Sequence, residues 1–414
     1  VRGGVVSAQL SSVDSKKKVL QGGMATPDPA DPRGLKIILY YKYCRVDAVE
    51  DEAKSQAEFC HARGLNGRIL LAGGNEGING TLAGTEAAIG EYMEMMEAHP
   101  TFQMKVADFK TSWSGPDCLA PFPDLSVKVS QEIVSTGRAF AEIAVEETSK
   151  GYLTPEEFHA AVLEHNSGDK GTVLIDVRNH KEFAIGHFEG STDPETRTFT
   201  EFPKWVDDNV SSLGGGKKVL MYCTGGIRCE KASAYVRRAL EGREGKEPEV
   251  YHLKGGIHKY LERFGAQGLF KGKNYVFDRR GAMGPGPGTP ADGLPVPEGE
   301  GAPVEEGEVV GKCVMPFCGA PWDEFKPDAV CAVCREPVLC CESCRGGLDP
   351  KEFHCNAHIH LRRCYYADLT PFSEEALKGQ VQELREHLAA LPAGKALKNR
   401  RRMIFTQMSR VEEA

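Results

Sequence analysis

Residues 218–233 of the chain read Lys218-Val-Leu-Met-Tyr-Cys223-Thr-Gly-Gly-Ile-Arg228-Cys-Glu-Lys-Ala-Ser233. This stretch begins with an apolar run that is typical of a buried strand and continues, after two glycines, as a helical pattern. Cys223 is therefore predicted at the carboxyl end of a parallel strand, just before a helix. Open α/β sheets bind their ligands at this edge.

The residues that follow Cys223 favour a negatively charged sulfur. Gly225 and Gly226 allow the chain to curl so that successive N–H groups point inward, while the helix dipole and Arg228 add positive potential. We therefore predict that Cys223 is a thiolate nucleophile. The predicted anion-binding loop consists of Thr224, Gly225, Gly226, Ile227, Arg228 and Cys229.

Each cysteine in this loop also has a simpler interpretation. Cys223 can be a small buried residue at a strand end, as most free cysteines are. For Cys229, a role as a resolving thiol and plain packing in the first helical turn both remain open.

The flanking sequence extends the α/β pattern over residues 151–278. Apolar runs predict strands at residues 172–177, 217–223 and 249–253, and a capped helical pattern covers residues 154–165. Strands that alternate with helices imply a parallel sheet covered on both faces.

Residues 35–137 show a different order of elements. Strands are predicted at residues 37–43, 67–71, 77–82 and 104–109, helices at 49–62 and 86–97, and a short connector at 122–137. This β-α-β-β-α-β order is that of a ferredoxin-like or acylphosphatase-like sandwich. The Gly-rich connection at residues 73–80 is either a turn or a phosphate cradle.

Composition separates the remaining segments of the 414-residue chain. Residues 1–34 are predicted to be a disordered leader, either a floppy extension or the rest of a transit peptide. Residues 281–311 form an acidic Gly/Pro linker, and residues 365–414 a helical, basic tail. The net charge of -8 gives no overall attraction to nucleic acid, and no apolar run reaches the roughly 20 residues of a membrane-spanning helix.

Nine of the 14 cysteines lie in residues 312–364. Their paired spacing predicts a module that holds one or two structural zinc ions, because its few large apolar residues cannot form a core alone. The predicted ligands are Cys313, Cys318, Cys331, Cys334, Cys341, Cys344, Cys355 and His358. Disulfides or free thiols are the alternative, and the spacing does not fix which pairs share an ion.

The Cys223 loop and its surroundings resemble the rhodanese family. The segment Leu174-Ile-Asp176-Val-Arg178, followed by Glu182-Phe183 and Gly186-His187-Phe-Glu-Gly190, resembles the first conserved stretch of that family, and Leu253-Lys-Gly-Gly256-Ile resembles its last. The resemblance implies that Asp176 and Arg178 support the fold around the loop.

A longer set of motifs resembles the TrhO (YceA, UPF0176) family of rhodanese-domain enzymes. It comprises Tyr41-Lys42-Tyr43, Gly77-Ile-Asn79, Tyr222 to Ser233, Gly272-Lys-Asn-Tyr-Val-Phe-Asp278 and the cysteine-rich tail. The resemblance implies oxygen-dependent hydroxylation of position 5 of the wobble uridine in tRNA. The implied partner is then the anticodon stem-loop, and molecular oxygen is a co-substrate.

Lys42 and Lys231 lie within matched motifs and are predicted to contact tRNA phosphates, although a solvated lysine is an equal alternative.

No nucleotide-cofactor fingerprint is visible in the sequence. The expected location is the cytoplasm, or an organelle if the leader belongs to a transit peptide. The sequence specifies no oligomeric state.

Two other functions remain open at this stage. One is a sulfurtransferase that moves sulfur from thiosulfate or a persulfide, and the other is a non-catalytic RNA-binding adaptor. The intact Cys223 loop weakens the adaptor hypothesis. The flanking domains weaken the sulfurtransferase hypothesis, because small-molecule sulfur transfer needs neither a sandwich nor a zinc module.

Overall fold

The structure is a computed structural model. It describes residues 33–115, 118, 120–137, 140, 143, 145–148, 150–241, 248–286, 308–348, 352–361, 365, 369–370, 372–391 and 398–413. Nearly all of the predicted leader, most of the predicted linker and Cys364 lie outside these residues. The domain limits given above stay a proposal.

The N-terminal part folds as a sandwich. Its elements are β1 (Lys36–Lys42), α1 (Val49–Ala62), β2 (Asn66–Ala72), β3 (Gly77–Gly84), α2 (Glu86–Ala98), β4 (Lys110–Trp113) and β5 (Leu125–Ser130). The sheet order is β4-β1-β3-β2-β5, with β5 parallel to β2 and the other pairs antiparallel. Ile38, Ile69 and Leu82 of the sheet pack with Ile89 and Tyr92 of α2. The predicted acylphosphatase-like fold is confirmed.

Two predictions about this sheet were wrong. The apolar pattern at residues 104–109 is not a strand, because Met104 and Phe109 fill the core from a loop and Val106–Asp108 is a 3-10 turn. The predicted connector at residues 122–137 contains β5, an edge strand. Its sequence Leu-Ser-Val-Lys-Val-Ser is partly exposed and therefore lacks the apolar signal of a buried strand.

The rhodanese-like part consists of a parallel sheet with helices on both faces. Its elements are α3 (Val145–Thr148), β6 (Tyr152–Leu153), α4 (Pro155–Asn166), β7 (Thr172–Asp176), α5 (His180–Phe183), β8 (Gly186–Phe188), α6 (Phe202–Leu213), β9 (Lys218–Tyr222), α7 (Ile227–Leu240), β10 (Glu249–Leu253) and α8 (Gly256–Phe264). The sheet order is β6-β10-β9-β7. Along β9, Val219 and Met221 face α6 and α7, whereas Leu220 and Tyr222 face α4 and α8. The predicted α/β fold is confirmed.

The C-terminal part contains short strands and two longer helices. They are β11 (Phe270–Gly272), β12 (Asn274–Tyr275), β13 (Ala282–Met283), β14 (Phe325–Val330), β15 (Pro337–Leu339), α9 (Glu342–Gly347), α10 (Glu374–Ala390) and α11 (Lys398–Glu412). Leu384 of α10 and Ile404 of α11 are buried together with Leu361. Within the described residues, no helix has the length and apolar character that crossing a membrane would require.

Candidate active site at the Cys223 loop

Cys223 lies where the sequence predicts it, between the end of β9 and the start of α7. Gly226, at the N-cap of α7, has a φ of +103°, and its N–H donates to Cys223 Sγ at 3.2 Å. On the other side, the N–H of Ile257 donates to the Cys223 carbonyl at 2.9 Å. A Cβ atom on Gly256 would lie 2.5 Å from that carbonyl oxygen. The start of α8 thus fixes the loop by close backbone contact.

The surroundings of Cys223 stabilise its thiolate. Burial alone would raise the pKa of Cys223, but the hydrogen bond from the Cys229 thiol, the charge of Arg228 and the N–H groups of Cys229 and Gly226 outweigh burial and lower the pKa to about 6. Burial and the neighbouring thiolate raise the pKa of Cys229 well above its usual value. At neutral pH Cys223 is therefore mostly ionised, and Cys229 is the donor.

Arg228 is engaged in a buried ion pair. Its Nη1 and Nη2 donate to the two carboxylate oxygens of Glu182 at 2.7 and 2.8 Å, and Nη2 also donates to Thr224 Oγ1 at 3.0 Å. Burial alone would raise the pKa of Glu182, but Arg228 and then Arg178 lower it. Arg228 thus holds the loop in place through Thr224, and its charge stabilises the Cys223 thiolate without a direct hydrogen bond to the sulfur.

The structure places Asp176 and Arg178 beneath the loop. Both are fully buried, with Arg178 Nε donating to Asp176 Oδ1 at 3.0 Å and Nη2 to Oδ2 at 2.7 Å. Arg178 Nη2 also donates to the carbonyl of Gly186, which ties the end of β7 to β8. This arrangement is consistent with the supporting role predicted for the pair.

The sandwich covers the Cys223 loop. Cβ atoms added to Gly225 and Gly226 would lie 2.7 Å from Leu39 Cδ2 and from Tyr41 Oη, respectively. The hydroxyl of Tyr43 donates to the Ile227 carbonyl at 3.3 Å. As a result, Cys223 has no exposed surface. A ligand can contact Sγ only after part of this cover moves.

The two lysines predicted to contact RNA differ in their surroundings. Lys231 is only 3% exposed, with Nζ 2.5 Å from Glu76 Oε1 and 3.7 Å from Glu132 Oε1, both in the sandwich part of the chain. This position suits an anchor between the two domains better than a phosphate contact. Lys42 is half-buried and donates to the Phe102 carbonyl, at the edge of a pocket.

That pocket, of about 650 Å³, lies between the sandwich and the rhodanese-like domain. Tyr41, Tyr43 and Tyr152 contribute aromatic walls. The charged residues that line it are Lys42, Asp108, Lys110, Glu156, Glu230, Lys254, Lys259, Glu262 and Arg263. We call it the interdomain pocket.

The eight predicted metal ligands form two clusters. One contains Cys313, Cys318, Cys341 and Cys344, and the other contains Cys331, Cys334, Cys355 and His358. In each cluster, the ligand atoms lie within 4.8 Å of one another. Cys318 Sγ and Cys341 Sγ of the first cluster are 3.7 Å apart, and Cys334 Sγ and Cys355 Sγ of the second are 3.8 Å apart. A zinc ion with bonds of about 2.3 Å places tetrahedral sulfur ligands about 3.8 Å apart, so both clusters fit this ion. The order of the ligands along the chain is interleaved.

Family comparisons match the three parts in the predicted order. The UPF0176 acylphosphatase-like domain matches residues 35–133, the rhodanese-like domain residues 159–263, and the rhodanase C-terminal domain residues 271–358. A tRNA uridine(34) hydroxylase of Mesorhizobium japonicum is 41% identical over 62% of this chain and 76% of its own length. Another, of Bacillus licheniformis, is 34% identical over 85% of this chain and 96% of its own length.

The chain belongs to the tRNA uridine(34) hydroxylase family. This membership confirms the resemblance predicted from the motifs. This chain is also similar to rhodanese-like domain-containing protein 6 of Arabidopsis thaliana, which is 34% identical over 75% of this chain. The chain spans about half the length of that relative. A solved rhodanese-like domain from Anabaena sp. is 20% identical over 30% of this chain and 80% of that one, with a TM-score of 0.23.

Sequence reasoning did not assign a role to two carboxylates of the site. Glu182 lies within the rhodanese-like segment that begins at Leu174, but nothing in its local pattern indicates a pair with Arg228, 46 residues away. Glu230 lies inside the motif and reads as an ordinary helix residue, yet it accepts from Tyr41 at 2.9 Å and from Tyr152 at 2.7 Å. The signal that identifies Glu182 and Glu230 is structural, because both are ionisable side chains buried near the nucleophile.

Proposed function

We propose that this protein is a tRNA hydroxylase that uses molecular oxygen to place a hydroxyl group on C5 of the wobble uridine, with Cys223 as the essential nucleophile. The observation that carries the proposal is membership of the tRNA uridine(34) hydroxylase family together with a complete Cys223 loop. Its substrate would be the anticodon stem-loop, and its place of action the cytoplasm or an organelle.

The geometry of the site supports this function. A thiolate with a pKa of about 6 is available at neutral pH for attack on an electron-poor ring carbon. The interdomain pocket offers tyrosine rings on which an unstacked anticodon base can stack, and lysines, Lys42 among them, for its phosphates. A single-domain sulfurtransferase would need no such pocket.

A nucleoside assay tests the proposal. Unmodified tRNA is incubated with protein, a dithiol and oxygen, because one oxygen atom of O2 enters the base and the other needs two electrons and two protons to become water. The expected product is 5-hydroxyuridine, which should be absent without oxygen or with Cys223→Ser. Cys118→Ser, which changes a thiol outside the loop, serves as the matched control.

Two outcomes would contradict the proposal. If wild type forms no 5-hydroxyuridine but transfers sulfur rapidly from thiosulfate to cyanide, the sulfurtransferase hypothesis replaces it. If Cys223→Ser forms as much product as wild type, the role assigned to Cys223 is wrong.

We also propose that each of the two cysteine-rich clusters holds one structural zinc ion. One cluster offers four thiolates and the other three thiolates and one imidazole, and both are donor sets that zinc prefers at tetrahedral spacing. These ions would tie the module around Phe353 and Val338, which form only a small apolar core.

A further inference from the structure

Two thiols meet at the start of α7. The backbone N–H and the thiol of Cys229 both donate hydrogen bonds to Cys223 Sγ. Cys223 and Cys229 are fully buried and belong to the same apolar cluster, which lies between the parallel sheet and helices α6 and α7. The two sulfur atoms are therefore in contact at a place that solvent does not reach.

The other described cysteines lie elsewhere in the molecule. Cys44 and Cys60 pack in the core of the sandwich, and Cys118 lines a separate pocket beside β4. The remaining described cysteines belong to the cysteine-rich module. Among the described thiols, Cys229 is thus the one that is placed to react with Cys223.

We propose that Cys223 and Cys229 are a redox pair that supplies the two electrons needed for each hydroxylation and closes to a disulfide. The inference deepens the function proposed above and rests on it. Hydroxylation places one oxygen atom of O2 on the base, so the other atom must take up two electrons and two protons to leave as water. Two thiols in contact hold both electrons and both protons.

The bonds and electrons of this step balance. Addition of O2 at C5 and release of Cys223 from the ring leave a hydroperoxide on the base. The Cys223 thiolate attacks the outer oxygen, the O–O bond breaks, and Cys223 becomes a sulfenic acid while the oxyanion on C5 takes up the proton that Cys223 lost on ionising. The Cys229 thiol then attacks the sulfenic sulfur, so that the S–S bond forms and the hydroxyl leaves as water with the thiol proton. Uridine, O2 and two thiols thus give 5-hydroxyuridine, water and one disulfide.

The cover over the Cys223 loop explains why the second thiol has to be part of the protein. A sulfenic acid is oxidised further to a sulfinic acid unless a thiol captures it. Leu39 and Tyr41 of the sandwich lie over the loop, so a dissolved thiol cannot reach Cys223 in this closed state, whereas Cys229 is already in contact. Burial and the neighbouring thiolate raise the pKa of Cys229, so it still carries the proton that the departing hydroxyl needs.

A single-turnover experiment tests the redox pair with a readout other than activity. The reduced full chain is freed of external thiol, mixed with excess unmodified tRNA in oxygenated buffer, and quenched in denaturant with an alkylating agent. Wild type should form about one 5-hydroxyuridine per chain and an equal amount of Cys223–Cys229 disulfide, and a dithiol should restart product formation. Trypsin cuts after Arg228, between the two cysteines, so mass spectrometry detects the disulfide as a linked pair of peptides.

Cys229→Ser separates electron supply from hydrogen bonding. Its hydroxyl can still donate to Cys223 Sγ, but it cannot form the disulfide. Cys223 should then accumulate as the sulfenic acid, trapped by dimedone in the quench, and product formed over repeated cycles with a dithiol should fall severalfold as Cys223 is oxidised further. Cys118→Ser should behave as wild type, and thermal unfolding checks the folding of both variants.

The remaining outcomes overturn the inference. Product without the disulfide in wild type removes the redox pair and leaves the proposed hydroxylation standing. The same holds if the disulfide forms equally fast without tRNA, or if Cys229→Ser yields no sulfenic acid and turns over as wild type does. If wild type makes no 5-hydroxyuridine even with a dithiol and oxygen, the proposed function fails and the inference fails with it.

Discussion

Among single residues, Cys229 has the larger part in lowering the pKa of Cys223. Its hydrogen bond opposes the effect of burial more strongly than the charge of Arg228, which is also paired with Glu182. Cys229→Ala should therefore raise the pKa of Cys223 by about one to two units, the value of one hydrogen bond to a charged group. The rate of alkylation against pH measures it, since the thiolate fraction rises through about pH 6 in wild type.

Cys229→Ser is the matched control, because its hydroxyl can still donate to Sγ. The serine variant should keep a midpoint close to that of wild type. A midpoint in Cys229→Ala equal to that of wild type would show that the loop amides and Arg228 suffice without the thiol.

The sequence predicted this nucleophile because strand, two glycines and helix are contiguous and each has its own local pattern. The sequence could not predict which residues far away in the chain raise or lower the pKa of the ionisable groups around the loop. Tyr41 and Glu230 are 189 residues apart, and only the docking of the sandwich on the loop brings them together. The same docking places Lys231 beside Glu76, 155 residues away, where the motif alone predicted a phosphate contact.

At the scale of elements, the end of β1 controls access to the Cys223 loop. The ring of Tyr41 lies against Gly226, and Cys223 is fully buried beneath this contact. Tyr41→Ala should increase the rate at which Cys223 is alkylated severalfold at a pH where the thiol is fully ionised. Mass spectrometry of the labelled protein locates the modified cysteine.

Tyr41→Phe separates the effect of the ring, which covers the Cys223 loop, from the effect of the hydroxyl hydrogen bond. It keeps the ring over the loop and removes only the hydroxyl that donates to Glu230. We expect its alkylation rate to remain close to wild type. Equal rates in wild type and Tyr41→Ala would mean that the sandwich opens freely without help from this side chain.

The cysteine-rich module should hold two zinc ions, and a substitution in one cluster should remove only the ion of that cluster. Cys318→Ser removes a ligand of one cluster and Cys334→Ser a ligand of the other, so each variant should retain about one ion per chain. Metal analysis with native mass spectrometry gives the counts. Cys340→Ser is the control, because this buried thiol belongs to neither cluster and its loss should leave both ions in place. Two ions in Cys318→Ser and Cys334→Ser would contradict the assigned ligands.

For these elements, the local sequence pattern predicted buried strands and pairs of ligands that lie close together in the chain. The ligand types followed from paired cysteines, but which pairs share an ion depends on how β14 and β15 fold back on each other. The edge strand β5 escaped prediction because it is partly exposed, and its pairing with β2 is fixed by the fold and not by apolar periodicity.

For the whole molecule, a net charge of -8 has to be reconciled with an RNA substrate. We propose that local lysines at the interdomain pocket supply the attraction, so tRNA binding should weaken steeply as salt rises. Lys42→Ala should lower the slope of log affinity against log salt by about 0.7, the value for one contact to single-stranded RNA.

Lys204→Ala is the comparison for this measurement. Lys204 lies on the exposed side of α6 and pairs with Asp208, and it does not line the pocket. Its removal should leave the slope unchanged. An identical slope in Lys42→Ala would exclude Lys42 as a phosphate contact.

The interleaved metal ligands have a consequence for how the protein is made. As the chain leaves the ribosome, the first four-cysteine set is complete once Cys344 has emerged, while the second set waits for His358. Closing the first set traps Cys331 and Cys334 inside a loop bounded by Cys318 and Cys341. The second ion then has less chain entropy to overcome, because half of its ligands are already confined. We therefore expect zinc uptake to follow the order of synthesis, with the first ion lowering the entropic cost of binding the second.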